Sequence, residues 1–392
     1  MRFHARVYGI SATILILCLM FAICSCGRKG TSQSGSGDSV TFRHARLLHV
    51  EKFGNYSVAR ISNPWKAGET LHTYVLVPRG MPVSDRLPSG TVVKVPLQRA
   101  AVFTSVHCCL ISALGRLGSV AGVCDYRYIL LPSVRRHVES GKAKDLGASA
   151  SPDVERIVSV NPDALLVSPF SGSGTYGKLA DTGVPIIECA DYMEHSPLAR
   201  AEWMRFYGML FGCSAEADSL FAVVEKNYMS FKKIASVMPR HPKLMCDLMQ
   251  GAAWYVPGGR STMGQAFKDA GAEYIFGGNN SAGSVPLSFE AVYDRALNAD
   301  VWVMRCGMAG VTYASLKKER EAYSHFRPWR ERRIYSCNTL EVPFFDESPF
   351  RPDYLLGDLV KILYPEKCTV PCFELLTRMV ESAWAVIATS SV

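Results

Sequence analysis

Apolar strands and amphipathic helices alternate along most of the chain from residue 91 onward. In the first half, the segments RAAVFTS, AGVCD, DALLVSP and VPIIECA are short and apolar, as buried strands are. Helix-like segments such as VHCCLISALGRLGSV and GTYGKLADTG lie between them. Strands that are apolar on both faces and alternate with helices are typical of a parallel sheet covered by helices. The pattern predicts an N-terminal α/β lobe over residues 91–195.

Residues 196–238 follow a helical period instead. Ser196 is the predicted N-cap of a first helix and Ser214 that of a second. Apolar residues recur at intervals of three and four along the second helix: Ala217, Leu220, Phe221, Val224, Tyr228, Phe231 and Ala235. A continuous helix of this length would extend about 60 Å, less any bend at Gly212. The segment is therefore predicted to be a long connecting helix.

Alternating strands and helices resume after Pro239 and predict a C-terminal α/β lobe over residues 239–366. The remaining residues, 367–392, are expected to form a tail with one apolar helix. Before the lobes, residues 40–90 contain strand-like runs separated by turn residues, such as YSVARIS and LHTYVLVPRG. They predict a small antiparallel β-element. The fold class is therefore α/β, with two Rossmann-like lobes, a long rigid helix between them and a ligand cleft between the lobes.

The N-terminus has the pattern of a secretory signal over residues 1–25. Arg2 and Arg6 precede the apolar run ISATILILCLMFAI, which is short for a transmembrane span. The run ends at ICSCG, where a small residue before cysteine resembles the bacterial lipobox, so we expect cleavage before Cys26 and lipid on its sulfur. An ordinary signal peptide is the alternative. Residues 26–39 are then a flexible tether, and the lipid holds the protein at a membrane surface.

Composition narrows the function classes. The net charge of +8 over 392 residues is mild, and the longest basic cluster is RERR at 330–333, so nucleic acid is not a favoured partner. Ten of the 13 cysteines lie outside the signal region, without zinc-type spacing, and most are expected to be small buried residues. Cys368 and Cys372 are spaced closely enough to form a disulfide, which the sequence does not establish.

Hydrolase, zinc-protease and nucleotide-binding motifs of the forms G-x-S-x-G, H-E-x-x-H and G-x-x-x-x-G-K-[ST] are absent from the sequence. His107 follows the first strand of the N-terminal lobe, where it would either reach the edge of the cleft and ligate a metal or lie on a helix face. The other histidines are scattered, so the sequence predicts no definite metal site and no catalytic residue.

One helix-to-strand unit occurs twice, as SPDVERIVSVNPDALLVSP at 151–169 and LSFEAVYDRALNADVWVMR at 287–305. Ser151 is the predicted N-cap of the first helix, with Pro152 in its first turn. Each unit has one acid at its helix start, Glu155 and Glu290. A carboxylate there is favoured by the helix dipole and projects from the surface.

Six loops that follow predicted strands are rich in aromatic residues and glycine. The carboxyl ends of parallel strands form the ligand-binding edge of such sheets. We therefore predict a cleft with apolar walls and with arginines for anionic oxygens. The predicted ligand-binding residues are Tyr126, Arg127, Tyr128, Phe170, Trp254, Tyr255, Arg260, Arg305, Phe344 and Phe345.

Together these segments resemble the periplasmic substrate-binding proteins that supply ABC importers of ferric siderophores, haem and vitamin B12. The resemblance rests on the lipobox at Cys26 and on DLGASASPDVERIVSVNPDALLVSP, AAWYVPGGRSTMGQAFKDAGAEYIF and FRPDYLLGDLVKILYPE, and it covers roughly 97–366. NPWKAGETLHTYVLVP in the β-element looks like the version found in lipoproteins of the Bacteroides group.

The resemblance implies a monomeric, non-enzymatic receptor without a resident cofactor, which delivers a metal chelate to a permease dimer with its cytoplasmic ATPase. It also implies that Glu155 and Glu290 meet permease arginines. A ferric siderophore or haem is the expected ligand, with Tyr126, Tyr128, Tyr255 or His107 as a candidate axial ligand of haem iron, and cobalamin is the alternative. A chelatase acting on a tetrapyrrole and a scavenging surface lipoprotein are the alternatives from other classes.

Overall fold

The computed structural model describes residues 37–82, 87–172, 176–307, 311–367 and 375–379 of the chain. The predicted signal peptide, Cys26, and the pair Cys368 and Cys372 lie outside the described residues. Within these ranges, no helix combines the length and apolar character that crossing a membrane requires.

An N-terminal sheet of five strands lies in the order β1-β2-β3-β4-β5. The strands are β1 (Asp38–Val40), β2 (Leu48–Lys52), β3 (Ser57–Ser62), β4 (Thr70–Pro78) and β5 (Thr91–Val95). The first four pair antiparallel, as predicted, but β5 pairs parallel to β4 with Tyr74 opposite Thr91. The prediction of a purely antiparallel element ending at residue 90 is wrong for this strand. Parallel neighbours need a crossover connection, and 12 residues separate β4 from β5.

The N-terminal lobe contains a parallel sheet in the order β12-β11-β6-β7-β8. Its strands are β6 (Ala100–Val102), β7 (Val120–Val123), β8 (Lys144–Asp145), β11 (Ala164–Val167) and β12 (Ile186–Glu188). The helices are α1 (Ser105–Ala113), α2 (Pro132–Glu139) and α3 (Val154–Ser159). Every residue of β6, β7 and β11 is buried, because helices and loops cover both faces of the sheet.

A short hairpin precedes α3 where the sequence predicts a helix cap. Strand β9 (Gly147–Ala148) pairs antiparallel with β10 (Ser151–Pro152), so Ser151 is extended and does not cap the helix. Asp153 is the N-cap instead, and its carboxylate accepts a hydrogen bond from the backbone N–H of Arg156 at 3.0 Å. Aspartate is an equally good cap, which is why the helix still begins close to the predicted point.

Three helices connect the lobes: α4 (Pro197–Glu202), α5 (Met204–Leu210) and α6 (Ser214–Ser236). Ser196 caps α4 as predicted, but α6 begins after Cys213 and Ser214 is not its cap. The 23 residues of α6 extend about 35 Å and bury the predicted apolar stripe, with Leu220 partly exposed. The connection bends at Gly212, which has a φ of +65°. The long rigid element is therefore α6 alone.

The C-terminal lobe has a second sheet in the order β16-β13-β18-β19-β20. Its strands are β13 (Lys243–Cys246), β16 (Glu273–Tyr274), β18 (Val301–Cys306), β19 (Ile334–Asn338) and the antiparallel edge strand β20 (Thr377–Arg378). A smaller sheet contains β14 (Met249–Gln250), β15 (Ala253–Pro257) and β17 (Ser284–Leu287). Within the predicted helical tail, Thr377–Arg378 is therefore a strand, and residues 368–374 and 380–392 lie outside the described residues.

The helices of this lobe are α7 (Thr262–Asp269), α8 (Phe289–Ala296), α9 (Tyr313–Glu319), α10 (Arg327–Arg330), α11 (Phe344–Glu347) and α12 (Pro352–Leu363). Helix α12 packs closely on α6 at Gly357, where an added Cβ would lie 3.0 Å from the ring of Phe231. The two-lobe α/β architecture with a helical connection is confirmed.

Candidate functional site

A cavity of about 600 Å³ lies at the carboxyl edge of the N-terminal lobe sheet, and we name it the N-lobe cavity. Phe103 and Thr104 line it directly after β6, and Ser168 and Phe170 line it after β11. The β9–β10 hairpin and Tyr176 complete its walls. The position is the ligand-binding edge expected for parallel strands.

A second cavity of about 290 Å³ is lined by residues from both lobes and from the connecting helices, and we name it the interlobe cavity. Val106 contributes from α1, Arg200 from α4, Met263 from α7, and Arg305 from the end of β18. Most of the remaining wall is apolar. It is formed by Phe344 and Phe345 of α11 and by Pro197, Pro349 and Pro352. A small, largely apolar cavity with two guanidinium groups is suited to a ligand that is apolar in part and bears anionic oxygens.

Buried aspartates hold both arginines of the interlobe cavity. The Arg200 Nε donates to Asp191 Oδ2 at 3.0 Å, and the Arg305 Nε donates to Asp247 Oδ1 at 3.0 Å. Burial alone would raise the pKa of Asp191, but the charge of Arg200 and the hydrogen bond from His107 hold that pKa below its ordinary value. Asp191 therefore stays ionised and fixes the guanidinium of Arg200 at the cavity wall.

His107 is not a candidate metal ligand in this fold. Its side chain is 2% exposed, and its Nε2 lies 3.0 Å from Asp191 Oδ1. Because the imidazole is buried and lines neither cavity, the structure does not support the predicted axial role. Its actual role is to help hold Asp191 in place. Elsewhere in the described ranges, no group of three or more His, Cys, Asp or Glu side chains is placed to hold a metal ion.

Four of the predicted aromatic residues are unusually exposed: Tyr128 (59%), Phe170 (63%), Tyr255 (45%) and Phe345 (54%). Phe170 lines the N-lobe cavity and Phe345 lines the interlobe cavity, as expected of ligand-binding residues. Tyr128 and Tyr255 line neither cavity, and Arg127 lies 4.5 Å above the ring of Tyr128. Two of these four exposed aromatic residues therefore line the two cavities.

The side chain of Tyr126 interacts with two residues of the N-terminal lobe. Its hydroxyl donates to Glu139 at 2.9 Å, and the guanidinium of Arg135 lies 4.9 Å from its ring centroid. Desolvation and this hydrogen bond raise the pKa of Tyr126, which disfavours the phenolate that would bind iron. The structure thus provides no support for Tyr126 as an axial ligand.

Trp254 is fully buried, contrary to its predicted place in the cleft wall. Its ring packs in a cluster with Trp302, Tyr323 and Phe326, and its Nε1 donates to the carbonyl of Cys246 at 2.9 Å. Trp254 is therefore a core residue of the C-terminal lobe. Arg260 is exposed and lines neither cavity.

Sequence reasoning missed Arg200, Asp191, Asp247 and Tyr176. Asp247 directly follows β13, and Asp191 follows β12 after two residues, so both lie at carboxyl ends of strands. That position was a usable signal. Arg200 gave none, because a single arginine in a helix is usually a solvated surface residue.

Glu155 and Glu290 occupy matching positions. Each is the second residue of its helix, α3 or α8, and each is exposed. Hydrogen bonds from its own backbone N–H and from Ser288 lower the pKa of Glu290 below its ordinary value. The side chain is therefore ionised at neutral pH.

The eight described cysteines form no disulfide among themselves, and seven of them are buried. The expectation that most cysteines are small buried residues is confirmed for the part of the chain that the structure describes.

The sequence of the chain matches one family of known proteins. Residues 109–339 match the family model described as periplasmic binding protein. A lipoprotein of Methanocaldococcus jannaschii is 27% identical over 344 residues, which cover 83% of this chain and 81% of that protein.

Solved structures share the fold. A periplasmic haem-binding protein from Pseudomonas aeruginosa aligns with a TM-score of 0.58 at 17% identity, over 73% of this chain and 99% of that one. A siderophore-binding protein, bound to a complex of two acinetobactin molecules and ferric iron, aligns with a TM-score of 0.55 at 17% identity. That alignment covers 69% of this chain and 93% of the other. At these identities the likeness concerns the fold.

Proposed function

The chain belongs to the periplasmic binding protein family, and we propose that it captures a ferric siderophore or haem between its lobes and delivers it to an ABC permease. The family and its structural neighbours are substrate-binding proteins and not enzymes, so the chelatase alternative is withdrawn.

The interlobe cavity carries the proposal. Both lobes line it, its walls are largely apolar, and Arg200 and Arg305 enter it with their guanidinium groups held by buried aspartates. Guanidinium groups pair with carboxylate, catecholate or hydroxamate oxygens, which ferric chelates and haem propionates present. Because the aspartates already fix both groups, little side-chain entropy is lost on binding.

A binding panel tests the proposal. Purified protein is titrated with haemin, a ferric hydroxamate, a ferric catecholate and cyanocobalamin, followed by tryptophan quenching and absorbance. We expect saturable one-to-one binding of an iron chelate, with a shifted Soret band if the chelate is haemin. Tighter binding of cyanocobalamin would select the cobalamin alternative. If none of the four binds, the proposed function fails.

We also propose that Glu155 and Glu290 dock the protein on the permease. They are exposed, lie at equivalent helix starts, and belong one to each lobe, so together they would set an orientation on a basic partner surface. Glu155→Lys combined with Glu290→Lys should abolish uptake of a ⁵⁵Fe-labelled chelate in cells that carry the permease, with binding unchanged. The exposed Glu366→Lys is the control. Normal uptake by the double variant would contradict docking and favour a scavenging lipoprotein.

The lipid anchor at Cys26 is a separate proposal. A relative of the chain is a lipoprotein, and the sequence before Cys26 has the expected small residue. Cells fed a radiolabelled fatty acid should label the wild-type chain and not Cys26→Ser. Equal labelling of both would exclude Cys26 as the site.

A further inference from the structure

A chain of hydrogen bonds runs from the N-terminal sheet to the N-lobe cavity. His72 on β4 places its Nδ1 3.2 Å from Glu188 Oε2. The other carboxylate oxygen, Oε1, accepts a hydrogen bond from the hydroxyl of Tyr176 at 2.6 Å. Tyr176 lines the N-lobe cavity, so the sheet is connected to that cavity through one carboxylate.

One buried carboxylate contacts both side chains. The Glu188 side chain is 5% exposed, and its two oxygens face the Tyr176 hydroxyl, which donates, and His72 Nδ1. The His72 Nε2 lies 2.7 Å from Thr91 Oγ1, and the imidazole stacks on the ring of Tyr74 at 4.5 Å. Tyr74 of β4, Thr91 of β5 and Glu188 of β12 therefore contact the imidazole from three sides.

Tyr176 separates two cavities. One is the N-lobe cavity, and the other, of about 520 Å³, lies between β4 and β5 of the sheet and β12 of the lobe. The backbone of Tyr176 has a φ of +24°, which is strained for a residue with a large side chain. Such a conformation persists where surrounding contacts determine it, and the hydrogen bond to Glu188 is such a contact.

The N-lobe cavity and the interlobe cavity adjoin at the start of α1, where Thr104 lines the first and Val106 the second. We propose that the bound ligand extends into the N-lobe cavity, where it contacts Tyr176, and that His72 is a positioning residue, which sets the ring of Tyr176 through Glu188. The N-terminal sheet is then part of the ligand site. His72 lies outside residues 109–339, so the family-matched segment does not supply this contact. The contact with ligand rests on the proposed function, whereas the positioning of Tyr176 does not.

Hydrogen–deuterium exchange of the full-length chain without ligand tests the positioning. His72→Phe keeps an aromatic ring for stacking on Tyr74 but removes both hydrogen bonds. We expect the turn at Gly177–Thr182 to exchange about tenfold faster, because Glu188, which accepts the hydrogen bond of the Tyr176 hydroxyl, loses the contact with His72 that orients it. His49→Phe is the matched control, since His49 is an exposed histidine of the same sheet whose ring bonds to Ser62 and not to Glu188. Exchange in His72→Phe equal to that of wild type would overturn the proposal.

Affinity for haemin tests the ligand contact. We expect His72→Phe and Tyr176→Phe each to weaken binding several-fold, and the double variant to bind no more weakly than Tyr176→Phe alone. His72→Asn, which keeps a donor toward Glu188, should recover most of the affinity. Additive losses of affinity in the double variant would contradict the positioning of Tyr176 by His72. Wild-type affinity in both His72→Phe and Tyr176→Phe would contradict the ligand contact.

If the wild-type chain does not bind haemin, the same variants are compared with the panel compound that it does bind. If no panel compound binds, the proposed function and the ligand contact fail together. The exchange experiment then still decides whether His72 positions Tyr176.

Discussion

Buried carboxylates serve two different purposes in two regions of this protein. Where the N-terminal sheet meets the connecting helices, Glu194 and Glu202 accept the backbone N–H groups of residues 43–47. In the interlobe cavity, Asp191 and Asp247 hold arginine side chains that face the cavity. We name the region around Glu194, Glu202 and residues 43–47 the seam. The chemistry is similar in both, but the seam carboxylates bond mainly to backbone N–H groups, with Trp203 Nε1 also donating to Glu194, whereas each cavity carboxylate holds an arginine side chain that faces the cavity.

This difference indicates how burial and function are related. A buried acid whose partners do not face a cavity contributes to stability, because none of those partners can respond to a ligand. A buried acid that holds an arginine at a cavity wall contributes to binding through that arginine. The partner, and not the acid's own burial, therefore shows which carboxylates belong to the site.

The largest expected effect is on the seam. Glu202 accepts from the N–H groups of Arg43, His44 and Ala45 at 2.7–2.9 Å. Glu202→Ala leaves three donors without this partner and should lower the free energy of unfolding by about 3–5 kcal/mol. Urea denaturation measures the change, and the affinity of the folded protein should remain within about twofold, because no bond to the cavity is lost.

The control for this prediction is Glu225→Ala. Glu225 contacts the side chains of Arg43 and His44 in the same segment but is partly exposed, so its loss should cost about 1 kcal/mol or less. Equal destabilisation by the two variants would mean that the backbone hydrogen bonds at the seam are not what matters.

The second effect is on the cavity. Arg305→Leu removes one of its two cations and should weaken binding of an anionic iron chelate about tenfold or more, which corresponds to about 1.4 kcal/mol. Titration calorimetry measures the change. Arg295→Leu replaces an exposed arginine of the same lobe that lines neither cavity, and should bind as wild type. Unchanged affinity in Arg305→Leu would place the ligand elsewhere.

As the pH falls, the stabilising contribution of the seam should be lost before that of the interlobe cavity. Burial and the charge of Arg46 lower the pKa of His195, which adjoins Glu194, so the folded state resists its protonation. Stability from His195 is therefore lost as the pH falls below the ordinary histidine value of about 6.5. The lowered pKa of Asp191 means that its contribution is lost only as the pH falls below about 4.

Urea denaturation across a pH series measures this order. His195→Gln should flatten the dependence of stability on pH between about 7 and 5, and Asp191→Asn should flatten it below about 4. If both variants alter the dependence of stability on pH over the same pH range, the two regions do not titrate separately.

The smallest effect distinguishes exposed aromatic residues inside and outside the cavities. Tyr128→Ala should change ligand affinity less than about twofold, while Phe345→Ala, in the interlobe cavity, should weaken it several-fold. Binding titrations under identical conditions compare them. A larger loss in Tyr128→Ala would extend the ligand site beyond the two cavities.

Local pattern predicted the elements well where one periodicity dominated. The stripe from Ala217 to Ala235 specified one face of α6, and the apolar strands specified parallel sheets. Periodicity also applies to β15: neighbouring residues of a strand point to opposite faces, so Trp254 and Tyr255 cannot both line one surface. The structure buries the first and exposes the second.

The sequence by itself determined the fold class, the two lobes, the connecting helices and the edge of each sheet at which a ligand would bind, because these depend on periodicities within short segments. Tertiary structure alone decided that Arg200 meets Arg305 at one cavity, that His107 is buried behind Asp191, and that β5 pairs parallel to β4. Each of these depends on which distant segment lies opposite. A contact between residues far apart in the chain leaves no periodic trace in either segment, so only the folded chain specifies it.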